Sequence, residues 1–155
     1  MIFVTVGGMR GFPRLVVEMD RIAGQIDEQV VMQIGSTSYM PRNCDHFRYM
    51  SRDELRKVYA RARLVVSHAG TGSILAALEQ GRPLVLVPRL KEYREVFDDH
   101  QLEVARELET QGVAVVHDIA GLESAIQNVG TGPARPAGGG DLVMRLKEYL
   151  DRLAG

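Results

Sequence analysis

Short, largely apolar stretches alternate with amphipathic segments along most of this chain. The apolar stretches fall at residues 2–6, 30–34, 64–66, 84–87 and 114–116, with a weaker one at 46–49. Between them, apolar residues return at steps of three and four. Phe12, Leu15, Val16, Met19, Ile22, Ala23 and Ile26 do so in the first interval, and Leu55, Val58, Tyr59 and Ala62 in the third. Such steps gather side chains on one face of a helix, whereas a strand that is apolar on both faces needs cover on both. The pattern therefore predicts an α/β domain, a Rossmann-like parallel sheet with helices on both faces. Ligands of such sheets sit beyond the carboxyl ends of the strands, which singles out the loops after Val6, Tyr49, Val66 and Val87.

Local signals mark the helix ends. Pro13 is tolerated in the first turn of the first helix. Ser51 and Glu54 have the spacing of a capping box, in which each side chain satisfies a backbone N–H of the other. A short helix is predicted over residues 73–80 with Gly81 closing it, another from about Leu102 to near Gly112, and another over residues 122–129. Gly and Pro fill most positions of 130–140, a flexible connector between the domain at 1–129 and a terminal helix at 141–155. Leu142, Leu146, Tyr149, Leu150 and Leu153 share one face of that helix, which either packs on its own domain or docks a partner.

A chain of 155 residues is about one domain. With 19 Lys+Arg against 20 Asp+Glu it lacks the cationic excess that nucleic-acid coating requires, so no nucleic-acid partner is expected. No apolar run approaches the ~20 residues of a membrane span, and residues 1–5 do not resemble a signal peptide. The one cysteine, Cys44, has no internal partner, and its loop lacks the basic neighbourhood and orienting partners that would single out a nucleophile, so it reads as incidental and the chain as cytosolic.

The loop after Val66 is the richest in chemistry: Ser67, His68, Ala69, Gly70, Thr71, Gly72, Ser73. Small residues let a backbone approach a ligand, and the following helix offers free N–H groups and the positive end of its dipole to a phosphate. The same Gly-x-Gly also serves a tight strand-to-helix turn, and the residues alone leave both readings open. The lysine of a Walker loop is absent. Gly7 and Gly8 give a similar, weaker signal, with a structural turn as the plainer reading. His68, at a strand end, is suited to phosphate or sugar but equally to a structural hydrogen bond. Asp98, Asp99, His100 and Gln101 lack a second ligand cluster, so no metal is expected; a helix cap at Asp98 or Asp99, with His100 and Gln101 facing the cleft, is the alternative.

Three blocks in order, residues 64–73, 81–89 and 99–102, resemble the donor-binding half of the MurG-like GT-B glycosyltransferases. The likeness is strongest to the separate-chain members, the PssE-type exopolysaccharide subunits and the catalytic subunit of the two-component N-acetylglucosaminyltransferase of lipid-linked oligosaccharide synthesis. It runs from Met1 to about Val129.

The resemblance implies a UDP-sugar donor and no cofactor. Residues 67–73, with Gly7 and Gly8, would hold the diphosphate; Tyr49 and Met50 would lie against the uracil; Arg89, Asp99, His100 and Gln101 would reach the sugar. No residue is implied as catalytic. Such a chain is one half of a GT-B enzyme, so a membrane-anchored acceptor-domain subunit of PssD type would complete it. Through that partner the chain would reach a lipid-linked acceptor while itself remaining cytoplasmic and peripheral to the membrane. The sequence departs from the family at Ala76, where many relatives carry a glutamate that binds ribose hydroxyls; Glu79 stands nearly one turn further on.

Overall fold

A computed structural model describes residues 1–130 and 139–154. Its six strands are β1 (Ile2–Thr5), β2 (Val30–Gln33), β3 (Asp45–Phe47), β4 (Leu64–His68), β5 (Leu84–Val87) and β6 (Ala114–Val115). They form one wholly parallel sheet in the order β3-β2-β1-β4-β5-β6. The helices are α1 (Pro13–Ala23), α2 (Arg52–Arg61), α3 (Thr71–Glu79), α4 (His100–Thr110), α5 (Leu122–Gly130) and α6 (Gly139–Ala154). The Rossmann-like sheet read from the sequence is thus present. The strand order reverses at β1, where Val4 faces Met32 on one side and Val66 on the other. The crevice between the ends of β1 and β4 is the topological switch point, where ligands of this architecture bind.

Alternation along β1 divides the core in two. Ile2 and Val4 pack with Leu15, Met19 and Ile22 of α1 and with Leu122 and Ile126 of α5. Phe3, between them, points to the opposite face and joins Tyr59, Ile74, Val104 and Leu146, from α2, α3, α4 and α6. There Tyr59 meets Phe3 edge-on, at 5.0 Å between ring centroids. Leu146 is buried in that core, with Val143 and Tyr149 beside it, so this face of the terminal helix rests on its own domain. The connector predicted at 130–140 falls, for residues 131–138, outside the described residues, as do the side chains of Leu142, Leu150 and Leu153. Among the described residues no helix is long and apolar enough to cross a membrane.

Three of the boundaries that differ from the sequence reading bear on the site. The third strand ends at Phe47 instead of Tyr49. The Arg48 guanidinium donates to the carbonyls of Gly35 and Thr37 at 2.8 and 2.9 Å, which ties the chain to the β2–β3 loop and leaves Tyr49 and Met50 outside the sheet. The fourth strand continues two residues further, through His68. Helix α3 begins at Thr71, so Gly72 belongs to its first turn and Gly70 is its N-cap. The Ser51–Glu54 capping box forms as read.

A buried carboxylate closes the β2–β3 loop. Asp20 of α1 accepts from the Tyr39 hydroxyl at 2.6 Å and from the Arg42 and Asn43 N–H groups at 3.0 and 2.8 Å. Burial alone would raise its carboxyl, but the hydroxyl and the N–H donors outweigh that and hold it below the ordinary carboxylate value. Its stabilising effect is present above the unfolded pKa of about 4 and disappears as pH falls through the depressed folded value. Asp20→Asn turns N–H toward N–H, which costs about 2 kcal/mol and roughly 4–8 °C in Tm for a chain of this size. In thermal melts the gap to the wild type is expected at pH 7 and narrows below pH ~4; a gap independent of pH contradicts this role for the carboxylate.

Candidate functional site

The start of α3 is an uncapped helix terminus at the switch point. Gly70 offers no capping side chain, and the first helical bond runs from the Ile74 N–H to the Gly70 carbonyl at 3.1 Å. The N–H groups of Thr71, Gly72 and Ser73 therefore have no hydrogen-bond partner among the described residues. Three aligned donors at the positive end of a helix dipole suit a phosphate or diphosphate.

The four glycines around this terminus are bare for two different reasons. A Cβ on Gly70 would lie 1.9 Å from His68 Cε1, and one on Gly7, which has φ +74, would lie 2.7 Å from His68 Nε2. The imidazole is thus wedged between two loops that only glycine lets close around it. A Cβ on Gly8 or Gly72 would meet nothing within 4 Å. Packing inside the domain does not require those two glycines, and the space beside them is open to a ligand. The Gly7 turn is further held by its N–H, which donates to Thr5 Oγ1 at 3.1 Å, while that hydroxyl donates to Gln33 Oε1 at 2.7 Å.

His68 is 8% exposed. Burial, assisted by the neighbouring Arg89 charge and only partly opposed by Gln101, pushes its pKa down to about 3. The ring is neutral at physiological pH and supplies no positive charge to a phosphate. Its Nε2 lies 3.3 Å from Ser73 Oγ, so it supports the helix start from behind.

A cleft of about 640 Å³ opens from this terminus into the groove between α2 and α3. Gly7, Gly8, Gly72 and Ser73 line its inner end, with Gln33 and Tyr59 below. Tyr49, Met50, Arg52, Leu55 and Arg56 form one wall, and Leu75, Ala76, Glu79 and Gln80 the other. The cleft thereby gathers six of the residues read from the sequence: Gly7, Gly8, Tyr49, Met50, Gly72 and Ser73. Tyr49 is 59% exposed and Met50 38%, which makes both available as a contact surface.

The other expected site residues lie elsewhere. Ser67 is buried and donates to the His68 carbonyl at 2.7 Å, Ala69 is buried, and Thr71 presents its N–H without lining the cleft. Arg89 is 4% exposed, and its guanidinium donates to the carbonyls of Val6 and Arg10 at 2.9 and 2.8 Å beneath the face of Phe12. Its work in this arrangement is to clamp the β1–α1 loop. Gln101 Oε1 accepts from the Arg89 N–H at 3.2 Å. Asp99 Oδ1 accepts from the Lys91 N–H at 3.3 Å and faces a separate hollow with Lys91, Arg106 and His117. His100 is exposed, and Asp98 Oδ1 accepts from its N–H at 3.0 Å, while Asp99, at the N-cap position itself, makes no side-chain cap bond. Cys44 is held as a thiol, its pKa pushed up to about 12 by burial and by Asp20 and Asp45.

Sequence reasoning missed Gln33, Arg52, Leu55, Arg56 and Tyr59. Leu55 and Tyr59 read as one helix face, and the four-residue step from Arg52 to Arg56 on α2 was the available signal for the pair.

Residues 1–136 match the family described as the glycosyltransferase family 28 C-terminal domain. The human protein named UDP-N-acetylglucosamine transferase subunit ALG13 is 34% identical over 124 residues, covering 72% of this chain and 10% of the human one. The chain therefore spans about a tenth of that relative's length. Among solved structures, ALG13 in solution superposes with a TM-score of 0.57 at 21% identity, covering 81% of this chain and 83% of that one. MurG of Acinetobacter baumannii superposes with a TM-score of 0.62 at 17% identity, covering 95% of this chain and 45% of that one. At these identities the structural likeness establishes the fold.

Proposed function

The chain belongs to the glycosyltransferase family 28 C-terminal domain family, and we propose that it is the donor-binding subunit of a two-component inverting glycosyltransferase, with a UDP-sugar as donor. The observation that carries this reading is the start of α3: three free N–H groups, two of them on residues that line the cleft, beside glycines at 8 and 72 that are bare without any packing reason. The diphosphate lies on Thr71, Gly72 and Ser73, with the Ser73 hydroxyl as a further donor. The nucleoside extends along the α2–α3 groove, its uracil against Tyr49 and Met50. The sugar leaves the cleft toward the loop that carries Asp99, His100 and Gln101.

In the reaction an acceptor hydroxyl attacks the anomeric carbon, the bond from that carbon to the diphosphate oxygen breaks, and UDP leaves with the electron pair. Negative charge grows on the diphosphate as the bond breaks. Preorganised N–H groups and the helix dipole stabilise it without having to reorganise. The neutral His68 and the clamped Arg89 hold that geometry from below, and the proton of the acceptor hydroxyl passes to a base outside this chain.

A second polypeptide supplies the acceptor half. Support comes from the human relative's name, which calls it a subunit, and from MurG, of which this chain covers 45%. That partner is membrane-anchored, of PssD type, and presents a lipid-linked acceptor.

The test combines the purified chain, a candidate acceptor-domain polypeptide in membranes, and labelled UDP-N-acetylglucosamine. Label is expected in the lipid fraction only when both polypeptides are present. Nucleotide-sugar binding without transfer, with the partner and acceptor supplied, would overturn this reading in favour of a non-catalytic nucleotide-sugar module.

A further inference from the structure

Arg52 and Arg56 stand one helical turn apart on α2, and both line the cleft. Both are exposed, and neither has an ion-pair or hydrogen-bond partner among the described residues. Arg14, Arg63 and Arg48 are engaged by Glu95, Glu28 and two carbonyls, while Arg61, Arg94 and Arg106 are unpaired among the described residues like Arg52 and Arg56 but do not line this cleft. Two unengaged cations on the wall of one cleft mark the place of a ligand group that accepts hydrogen bonds.

Their position along the groove says which group. Seven residues of helix separate Gly72 from Glu79 on the facing wall, a rise of about 10 Å. A diphosphate on the first turn of α3 cannot also fill the outer groove, so the arginines face what is attached to it. Tyr49 and Met50 lead into the same helix and line the cleft beside the arginines, offering an exposed surface against which a flat group would lie. The arginine heads then lie at the edge of a base. A guanidinium has five N–H donors and no acceptor. It pairs with carbonyl oxygens on a base edge and opposes an exocyclic amino group, which would leave two donors face to face.

We propose that Arg52 and Arg56 read the base of the bound nucleotide at its 4-position, selecting a carbonyl oxygen there, as in uracil, over an amino group, as in cytosine, the 2-carbonyl being common to both. This rests on the reading that a nucleoside diphosphate sits with its phosphates on the start of α3.

Calorimetric titration tests it with three probes, UDP, CDP and inorganic pyrophosphate. They are applied to the intact chain and to Arg52→Met, Arg56→Met and the double variant, all exposed substitutions that leave the core untouched. The intact chain binds UDP more tightly than CDP by roughly tenfold or more. In the double variant the UDP affinity falls to the CDP level while CDP and pyrophosphate stay within about twofold of the intact chain. Equal losses for all three probes would show a general attraction for anions and overturn base reading. Equal affinity of the intact chain for UDP and CDP would also overturn it, leaving the diphosphate site in place. Failure of every probe to bind the intact chain would instead remove the underlying reading, and base recognition with it.

Discussion

Gly72→Leu is expected to abolish UDP binding while leaving the fold at least as stable. The Cβ of the leucine meets no protein atom within 4 Å, and its larger branch is expected to obstruct the N–H groups of Thr71, Gly72 and Ser73. Hydrogen bonds to a charged phosphate contribute about 1.5–3 kcal/mol each, so losing even two of them lowers affinity by at least roughly a hundredfold. Stability moves the other way, because glycine is the poorer helix former by about 1 kcal/mol and position 72 has ordinary helical φ. Calorimetry and thermal melting of the same sample read both effects. Gly70→Ala is the opposite case. Its Cβ collides with the His68 ring, so the melting temperature falls, and adding His68→Ala restores part of the loss through coupling between residues in contact. A Gly72→Leu protein that still binds UDP at wild-type affinity would mean that the glycine pair marks a turn and nothing more.

Arg89→Met is expected to cost stability before it costs any contact with a sugar. The substitution orphans the buried Val6 carbonyl and removes the donor from the partly buried Arg10 carbonyl, at about 1–3 kcal/mol for a buried unsatisfied group. A total near 3 kcal/mol corresponds to roughly 6–12 °C in Tm. The loosened loop carries Gly7 and Gly8, so UDP and UDP-sugar affinities fall together. An arginine that touched the sugar would behave differently: Tm would hold, UDP would bind normally, and only the UDP-sugar would weaken. Melting curves with the two titrations separate these outcomes.

Much of the fold was legible because its determinants are local. Strands apolar on both faces and helices with three- and four-residue steps are patterns within single segments, and all six strands and the helices between them lie within a few residues of where those patterns put them. The strand order is a property of pairing between segments, and periodicity carries no information on which strand neighbours which. The third strand was overrun because what ends it is the reach of Arg48 back to residues 35 and 37.

At the candidate site the same division holds. The stretch from Ser67 to Ser73 is visible as small residues between a strand and a helix. That Gly7 and Gly70 answer to His68, while Gly8 and Gly72 answer to open space, depends on a ring packed between segments some sixty residues apart. Resemblance places Arg89 at the sugar, and its burial was not legible because its acceptors at residues 6 and 10 lie some eighty residues away in the sequence. Arg52 and Arg56 resembled a solvated helix face, since only the fold sets α3 opposite them.

The central claim is that a diphosphate binds the first turn of α3 with its nucleoside in the α2–α3 groove. Backbone amide chemical shifts, recorded as UDP and then uridine are titrated into the labelled chain, test it residue by residue. The account predicts that the amides of Thr71, Gly72, Ser73 and Gly8 move strongly with UDP and little with uridine, while those of Met50 and Arg52 move with both. Saturable UDP binding that leaves residues 71–73 unmoved, or that moves the hollow around Lys91 and Arg106 instead, would contradict it.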